Sequence, residues 1–298
     1  MENRTFSAVE GALRETAEKV ERALTEYLSE KYVGDTVTAQ AMAYSTLGGG
    51  KRIRAFLVLE FAKMFGASEE AAMPYACALE CIHAYSLIHD DLPCMDDDDL
   101  RRGKPSCHIA YGEAQALLAG DGLLTFAFEL CASNRFVSHK SARLAVAELA
   151  KEAGSLGMVG GQTLDLANEV SGYGDLRKIY LKKTGALIRA ACLLGYFAAC
   201  DRPYEHDIRN ITLYAEAIGL AFQIHDDILD VKSDTETLGK TVGSDAKNDK
   251  KTVLAFMSMK EAEEEETLLT LLAVEAVSDY NDSELLCKLA IWLLARQK

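Results

Sequence analysis

Proline is scarce in this chain, with four in 298 residues, at positions 74, 93, 105 and 203. So few breakers leave room for long uninterrupted helices. A run of about twenty apolar residues is missing too, so no membrane span is expected. Basic charge is in deficit: 32 Lys and Arg stand against 46 Asp and Glu, a formal net charge of -14. No basic face can then dominate the field, which excludes nucleic acid as a partner. Paired Cys-x-x-Cys spacing is absent, so Cys77 and Cys81 do not make a zinc site with Cys107 and His108. The N-terminus opens onto a charged amphipathic segment rather than an apolar signal core. Most cysteines (Cys77, Cys81, Cys131, Cys192, Cys200, Cys287) fall in apolar stretches, as expected of reduced thiols in a cytoplasmic protein.

Sustained alternation is also lacking, whereas apolar residues recur at three- and four-residue intervals almost throughout. The fold class predicted is therefore all-α. Helices are expected near 5–30, 36–46, 51–66, 71–92, 110–137, 141–168, 175–200, 204–231, 249–278 and 283–297. The stretches 71–92 and 211–231 are hydrophobic nearly all round and belong inside a bundle. No Pro-, Ser- or Gly-rich linker divides residues 1–298, which predicts a single domain.

Two aspartate clusters interrupt the apolar pattern: Asp90-Asp91-Leu-Pro-Cys-Met-Asp96-Asp97-Asp98-Asp99 and Asp226-Asp227-Ile-Leu-Asp230. Each is expected to close a buried helix. A helix C-terminus already carries partial negative charge, so carboxylates gathered there raise the local energy. Asp226 and Asp230 repel across one turn as well. A divalent cation would convert that repulsion into ligation. Oxygen-only donors favour a hard ion, and Mg2+ typically joins one or two carboxylates to substrate phosphates.

Cations surround these clusters in the sequence. Arg101 and Arg102 follow the first, and Lys51 and Arg54 follow a glycine triplet where a helix should begin. Amides at a helix start beside guanidinium groups suit a diphosphate. Lys183-Thr184-Gly185 and Gly239-Lys240 are further candidates, and Gln223 lies one turn before Asp226. Glu80-x-x-His83 mimics half of a di-iron motif, but such bundles need two of these pairs and only one occurs. The acidic run Glu261–Glu266 is expected to be a solvated face at a helix start.

Asp-Asp-x4-Asp with Leu-Arg-Arg-Gly-Lys-Pro, then Asp-Asp-Ile-Leu-Asp, resembles the two Asp-rich motifs of the short-chain trans-polyprenyl diphosphate synthases. Gly-Gly-Lys-Arg-Ile-Arg, Gly-Gly-Gln-Thr-Leu-Asp-Leu and Lys-Thr-Gly-Ala-Leu-Ile match the same family in the same order, from about Gly48 to Lys251. The likeness is greatest to its bacterial fifteen-carbon branch. It implies an isoprenoid-synthase fold of ten or more helices around a central cavity, usually as a homodimer. It also implies condensation of isopentenyl diphosphate with an allylic diphosphate, with two or three Mg2+ per site and Mn2+ left open as a substitute.

Carried over by this resemblance, Asp90, Asp96 and Asp226 would ligate Mg2+, with Asp91, Asp227 and Asp230 in support. Arg101, Lys183, Thr184, Gln223 and Lys240 would contact the allylic diphosphate. Lys51, Arg54, His83 and Arg102 would hold isopentenyl diphosphate. Asp90, Asp91, Asp96, Arg101, Lys183, Asp226 and Lys240 form the catalytic set so implied. Tyr85 lies five residues before Asp90, about 7 Å down a helix, and would floor the site beside Ser86. Ala55 stands where the family usually has proline, and Val253 where it usually has tyrosine. Two alternatives remain: a twenty-carbon synthase and a non-catalytic synthase subunit. A class I terpene cyclase is disfavoured by Asp226-Asp227-x-x-Asp230 and Lys51-x-x-Arg54.

Overall fold

The structure, a computed structural model, describes residues 2–29, 34–236 and 251–295. Its helices are α1 (Glu2–Tyr27), α2 (Val37–Thr46), α3 (Ile53–Met64), α4 (Glu69–Asp90), α5 (Cys107–Tyr111), α6 (Glu113–Ala132), α7 (His139–Ala153), α8 (Met158–Ala167) and α9 (Tyr173–Tyr180). A π-helical turn, Leu181–Gly185, leads into α10 (Ala186–Ala199), followed by α11 (Glu205–Glu236), a 3-10 turn (Val253–Ala255), α12 (Met259–Ser278) and α13 (Glu284–Ala295). The only strands among the described residues are β1 (Leu100–Arg101) and β2 (Lys104–Pro105), an antiparallel pair in which Leu100 faces Pro105. The all-α expectation holds.

Local signals explain the boundaries. Ser68 accepts from the Ala71 amide to start α4, and Ser258 and Glu261 form a reciprocal capping box at α12. Pro74 sits inside α4 without ending it. The expected helix 110–137 is broken at Gly112, where φ is 85°. The expected helix 141–168 is interrupted by the turn at 154–157. Apolar periodicity runs through both breaks, which is why neither was visible in it.

Packing groups the chain into two compact units, one of residues 10–150 and 193–203, the other of 1–9, 151–192 and 204–298. In the first, α4 packs against α3 and α6, burying Phe56, Phe61, Leu79, Ile82 and Leu123 completely. Each such side chain stabilises the fold by roughly 1.5–3 kcal/mol. In the second, α11 packs on α12, and the Tyr214 hydroxyl donates to the Leu286 carbonyl at 2.9 Å. One helix among the described residues, Glu113–Ala132, is long and apolar enough to cross a membrane by length and composition. It packs instead against α4 and α2 within its unit, and Asp121 is exposed near its middle.

Candidate active site

In the first unit α4 ends at Asp90, and the chain folds back so that the Asp96 amide donates to the Asp90 carbonyl at 2.9 Å. The turn thereby brings together two aspartates six positions apart. Both are partly open to solvent, whereas Asp91 between them is 2% exposed. Asp91 accepts from Arg101 through both carboxylate oxygens, from Nε at 3.0 and 3.3 Å and from Nη2. Burial pushes the Asp91 carboxyl above its usual range, while Arg101 opposes that rise. Asp91 is therefore occupied in holding the arginine.

The β1–β2 connection places Arg102 and Gly103 at φ 55° and 74°. Both values suit a tight hairpin turn, and such backbone in a non-glycine residue costs on the order of 1 kcal/mol. This turn aims Arg102 at the glycine triplet, where Nη1 donates to the Gly49 carbonyl. Gly50, at φ 116°, lies so close that an added Cβ would stand 3.1 Å from the Arg102 guanidinium carbon. Lys51 is exposed, and Arg54 and His83 are partly buried. Burial pushes His83 well below its ordinary value, and Arg54, Arg102, Arg52 and Arg101 push it further. The imidazole is thus neutral among four arginines, of which Arg52 is bonded to Glu80 and Glu21 and Arg101 to Asp91.

Tyr85, 6% exposed, packs edge-on against the His89 ring with centroids 5.7 Å apart. Burial, then Asp90, raises its phenol to about 12. His89 is fixed in turn by a 3.0 Å hydrogen bond between Nε2 and the Leu117 carbonyl. Ser86 donates to the His83 carbonyl at 2.9 Å.

The second unit presents the other cluster differently. Asp226, Asp227 and Asp230 lie inside α11, which continues to Glu236, so they do not close a helix as expected. Helical propagation past them is favoured because the inner side of α11 remains apolar, with Ile224 and Ile228 buried. Asp227, 7% exposed, accepts from the Tyr180 hydroxyl at 2.6 Å and the Val253 amide at 2.7 Å. Asp226 is partly buried and Asp230 exposed. Beside them the π-turn presents Lys183, bonded to Asp165 at 2.7 Å, and Thr184, which donates to Gln223. A Cβ on Gly161 would overlap the Lys183 backbone, so only glycine lets α8 approach this turn. Lys251 donates to the Val170 carbonyl at 2.7 Å. Lys240 and its neighbour Gly239 lie outside the described residues.

His89 and Tyr180 carried no sequence signal that stood out, while Arg52 and Asp165 stand inside the Gly-Gly-Lys-Arg-Ile-Arg and Gly-Gly-Gln-Thr-Leu-Asp stretches with no role assigned to them there. Glu266 corrects the expectation of a solvated acidic run, since it is 6% exposed and pairs with His225 Nδ1 at 2.7 Å. The outward face of α12 carries the rest of that run.

No three His, Cys, Asp or Glu side chains form a ready-made metal cage among the described residues. The solvent-accessible carboxylates still fit Mg2+. That ion keeps waters and takes one or two carboxylates together with substrate phosphates. Nitrogen- and sulfur-preferring metals fit less well, since the open donors are all oxygen.

The same architecture occurs in isoprenyl synthases. A crystal structure of an FPP/GFPP synthase from Zymomonas mobilis superposes with a TM-score of 0.86 at 32% identity, covering 97% of this chain and 99% of that one. The fold and the paired aspartate motifs thus define a prenyltransferase. A family model described as Polyprenyl synthetase matches residues 35–288, and the chain belongs to that family. It is 46% identical over 254 residues to farnesyl diphosphate synthase of Escherichia coli K12, covering 84% of this chain and 85% of the relative. A geranylgeranyl diphosphate synthase of Cyanophora paradoxa is 44% identical over 264 residues, covering 86% of each chain.

Proposed function

We propose that this prenyltransferase condenses isopentenyl diphosphate with dimethylallyl and geranyl diphosphates to give farnesyl diphosphate, with Mg2+ as cofactor. The observation that supports the reading is a contrast between solvent-accessible carboxylates and a group of arginines. Asp90 and Asp96 in the first unit, and separately Asp226 and Asp230 in the second, suit a diphosphate that leaves through metal. The arginine pocket around neutral His83 suits one that stays attached to its carbon chain. A condensation of two diphosphates needs one of each.

Bound through these carboxylates, Mg2+ would supply charge neutralisation at the departing diphosphate. Arg101, held by Asp91, and Lys183, held by Asp165, add fixed positive charge where negative charge develops as the allylic C–O bond breaks. Thr184 and Gln223 orient the same group, and Lys240 is proposed as a third cation. Lys51, Arg54 and Arg102 hold isopentenyl diphosphate so that its double bond meets the allylic carbon. A new C–C bond forms, one proton leaves to the released diphosphate, and the alkene is restored. No side-chain nucleophile takes part.

Tyr85, buried and braced by His89, is proposed as the floor that stops growth at fifteen carbons. The exposed apolar residues Ile109, Leu117 and Leu118 support a homodimer, which would cover them. The test is incubation with isopentenyl and dimethylallyl diphosphates, with Mg2+ and with chelator, followed by product sizing. Metal-dependent farnesyl diphosphate is expected, and Tyr85→Met should shift the product toward twenty carbons. Absence of metal-dependent elongation overturns the function. An unchanged product from the variant overturns only the floor.

A further inference from the structure

Between Lys51 and Arg54 stands an arginine that cannot reach solvent. Arg52 is 4% exposed, and its backbone is left-handed at φ 50°, immediately before α3. A non-glycine residue holds that conformation at a cost that its surroundings must offset. Three acceptors do so. Nη1 donates to Glu80 at 2.9 Å, and Nη2 donates to Glu21 at 2.7 Å and to the Thr46 carbonyl at 2.6 Å.

The start of α3 explains why Glu80 is needed. A helix normally finds an acceptor for its first amides in the residue before it. Arginine has no acceptor to offer. The second Glu80 oxygen supplies one, taking the Ala55 amide at 3.2 Å. One carboxylate from α4 thus fixes both the side chain ahead of α3 and the first turn of α3. Lys51 and Arg54 are carried on that same stretch, one on each side of Arg52. Glu80 lies ten residues before Asp90 on α4, a helical rise of about 15 Å. The pair therefore ties the arginine pocket to the helix that ends in the first aspartate motif.

We propose that Arg52 and Glu80 are positioning residues for the isopentenyl diphosphate pocket, setting where Lys51 and Arg54 stand relative to Asp90. This rests on the reading of Lys51, Arg54, His83 and Arg102 as that pocket. Neither residue touches substrate. Their removal loosens one substrate's grip and leaves the allylic grip, built on other residues, intact.

The test uses the full chain, varying each substrate separately in steady state. Arg52→Gln is expected to raise the KM for isopentenyl diphosphate about tenfold or more, with the geranyl diphosphate KM moving less than about twofold. Arg52→Lys, which keeps the charge but not the fork, should fall between Arg52→Gln and the parent chain. If Arg52→Gln does not fold, Glu21→Gln carries the test. It trims only the outer, half-exposed partner, and about a threefold rise in the isopentenyl KM alone is expected. Two KM values moving together, or neither moving, overturns the proposal. A parent chain that shows no isopentenyl-dependent elongation overturns the functional reading instead.

Discussion

The two aspartate motifs carry the same letters and are built by different means. At Asp90 and Asp96 a turn after the end of α4 creates the proximity, sealed by an amide-to-carbonyl bond. At Asp226 and Asp230 ordinary helical periodicity does it, inside a helix that runs to Glu236. Yet both share one division of labour. The second aspartate of each pair is buried and taken by protein donors, Arg101 for Asp91 and Tyr180 with Val253 for Asp227. Buried carboxylates of this kind hold machinery in place, and the first of each pair lies nearer to solvent. Asp91 tethers a cation, whereas Asp227 tethers the 3-10 turn at Val253.

The comparison can be broken most sharply through activity. Asp90→Asn and Asp226→Asn should each lower kcat by about a thousandfold if both motifs ligate metal at the leaving diphosphate. Steady-state elongation at saturating Mg2+ checks this. Near-normal turnover in either variant removes that motif from the chemistry.

A smaller effect separates the buried from the open partners. Asp91→Ala and Asp227→Ala should each cost about 2–3 kcal/mol of stability, because each strands buried donors. Asp90→Ala and Asp226→Ala, at more exposed positions, should cost less. Urea unfolding in chelator measures all four without metal linkage. Equal losses across the set would dissolve the division of labour.

The smallest effect concerns the histidines. His83 is held below its ordinary value by burial and by arginines, so the unfolded chain takes up the proton first as pH falls. Its contribution to stability is complete above about pH 6.5 and is lost below it, by at most about 1.4 kcal/mol per pH unit. His83→Gln should flatten that limb of the stability–pH curve. His225, beside the second motif, has the Glu266 carboxylate at 2.7 Å instead of four arginines. An unchanged slope in His83→Gln contradicts this assignment.

Much of this was legible in the sequence, for identifiable reasons. Apolar spacing located α4 and α11, and the charge clusters located both aspartate motifs, because those signals are local. The break at Gly112 and the continuation of α11 past Asp230 depend on packing that local periodicity does not encode. Glu80 is the instructive residue. Its spacing to His83 suggested half a metal motif, while its partners, Arg52 and the Ala55 amide, lie 28 and 25 positions away in the chain. Long-range pairs of that kind leave no periodic trace. Asp227 likewise reads as one more carboxylate until Tyr180 and Val253 are seen to claim it.

The π-turn at Leu181–Gly185 has a consequence for how this region tolerates change. A π-turn holds one residue more than an α-turn over the same advance. It therefore behaves as a stored insertion. Substitutions there alter single contacts, but deletion of one residue would let regular α-helix run from α9 into α10, leaving the flanking helices in phase while the side chains within the turn change direction. Lys183 and Thr184 would then swing away from Asp165 and Gln223 together. In this segment the spacing of the chain is a tighter constraint than the identity of most of its side chains.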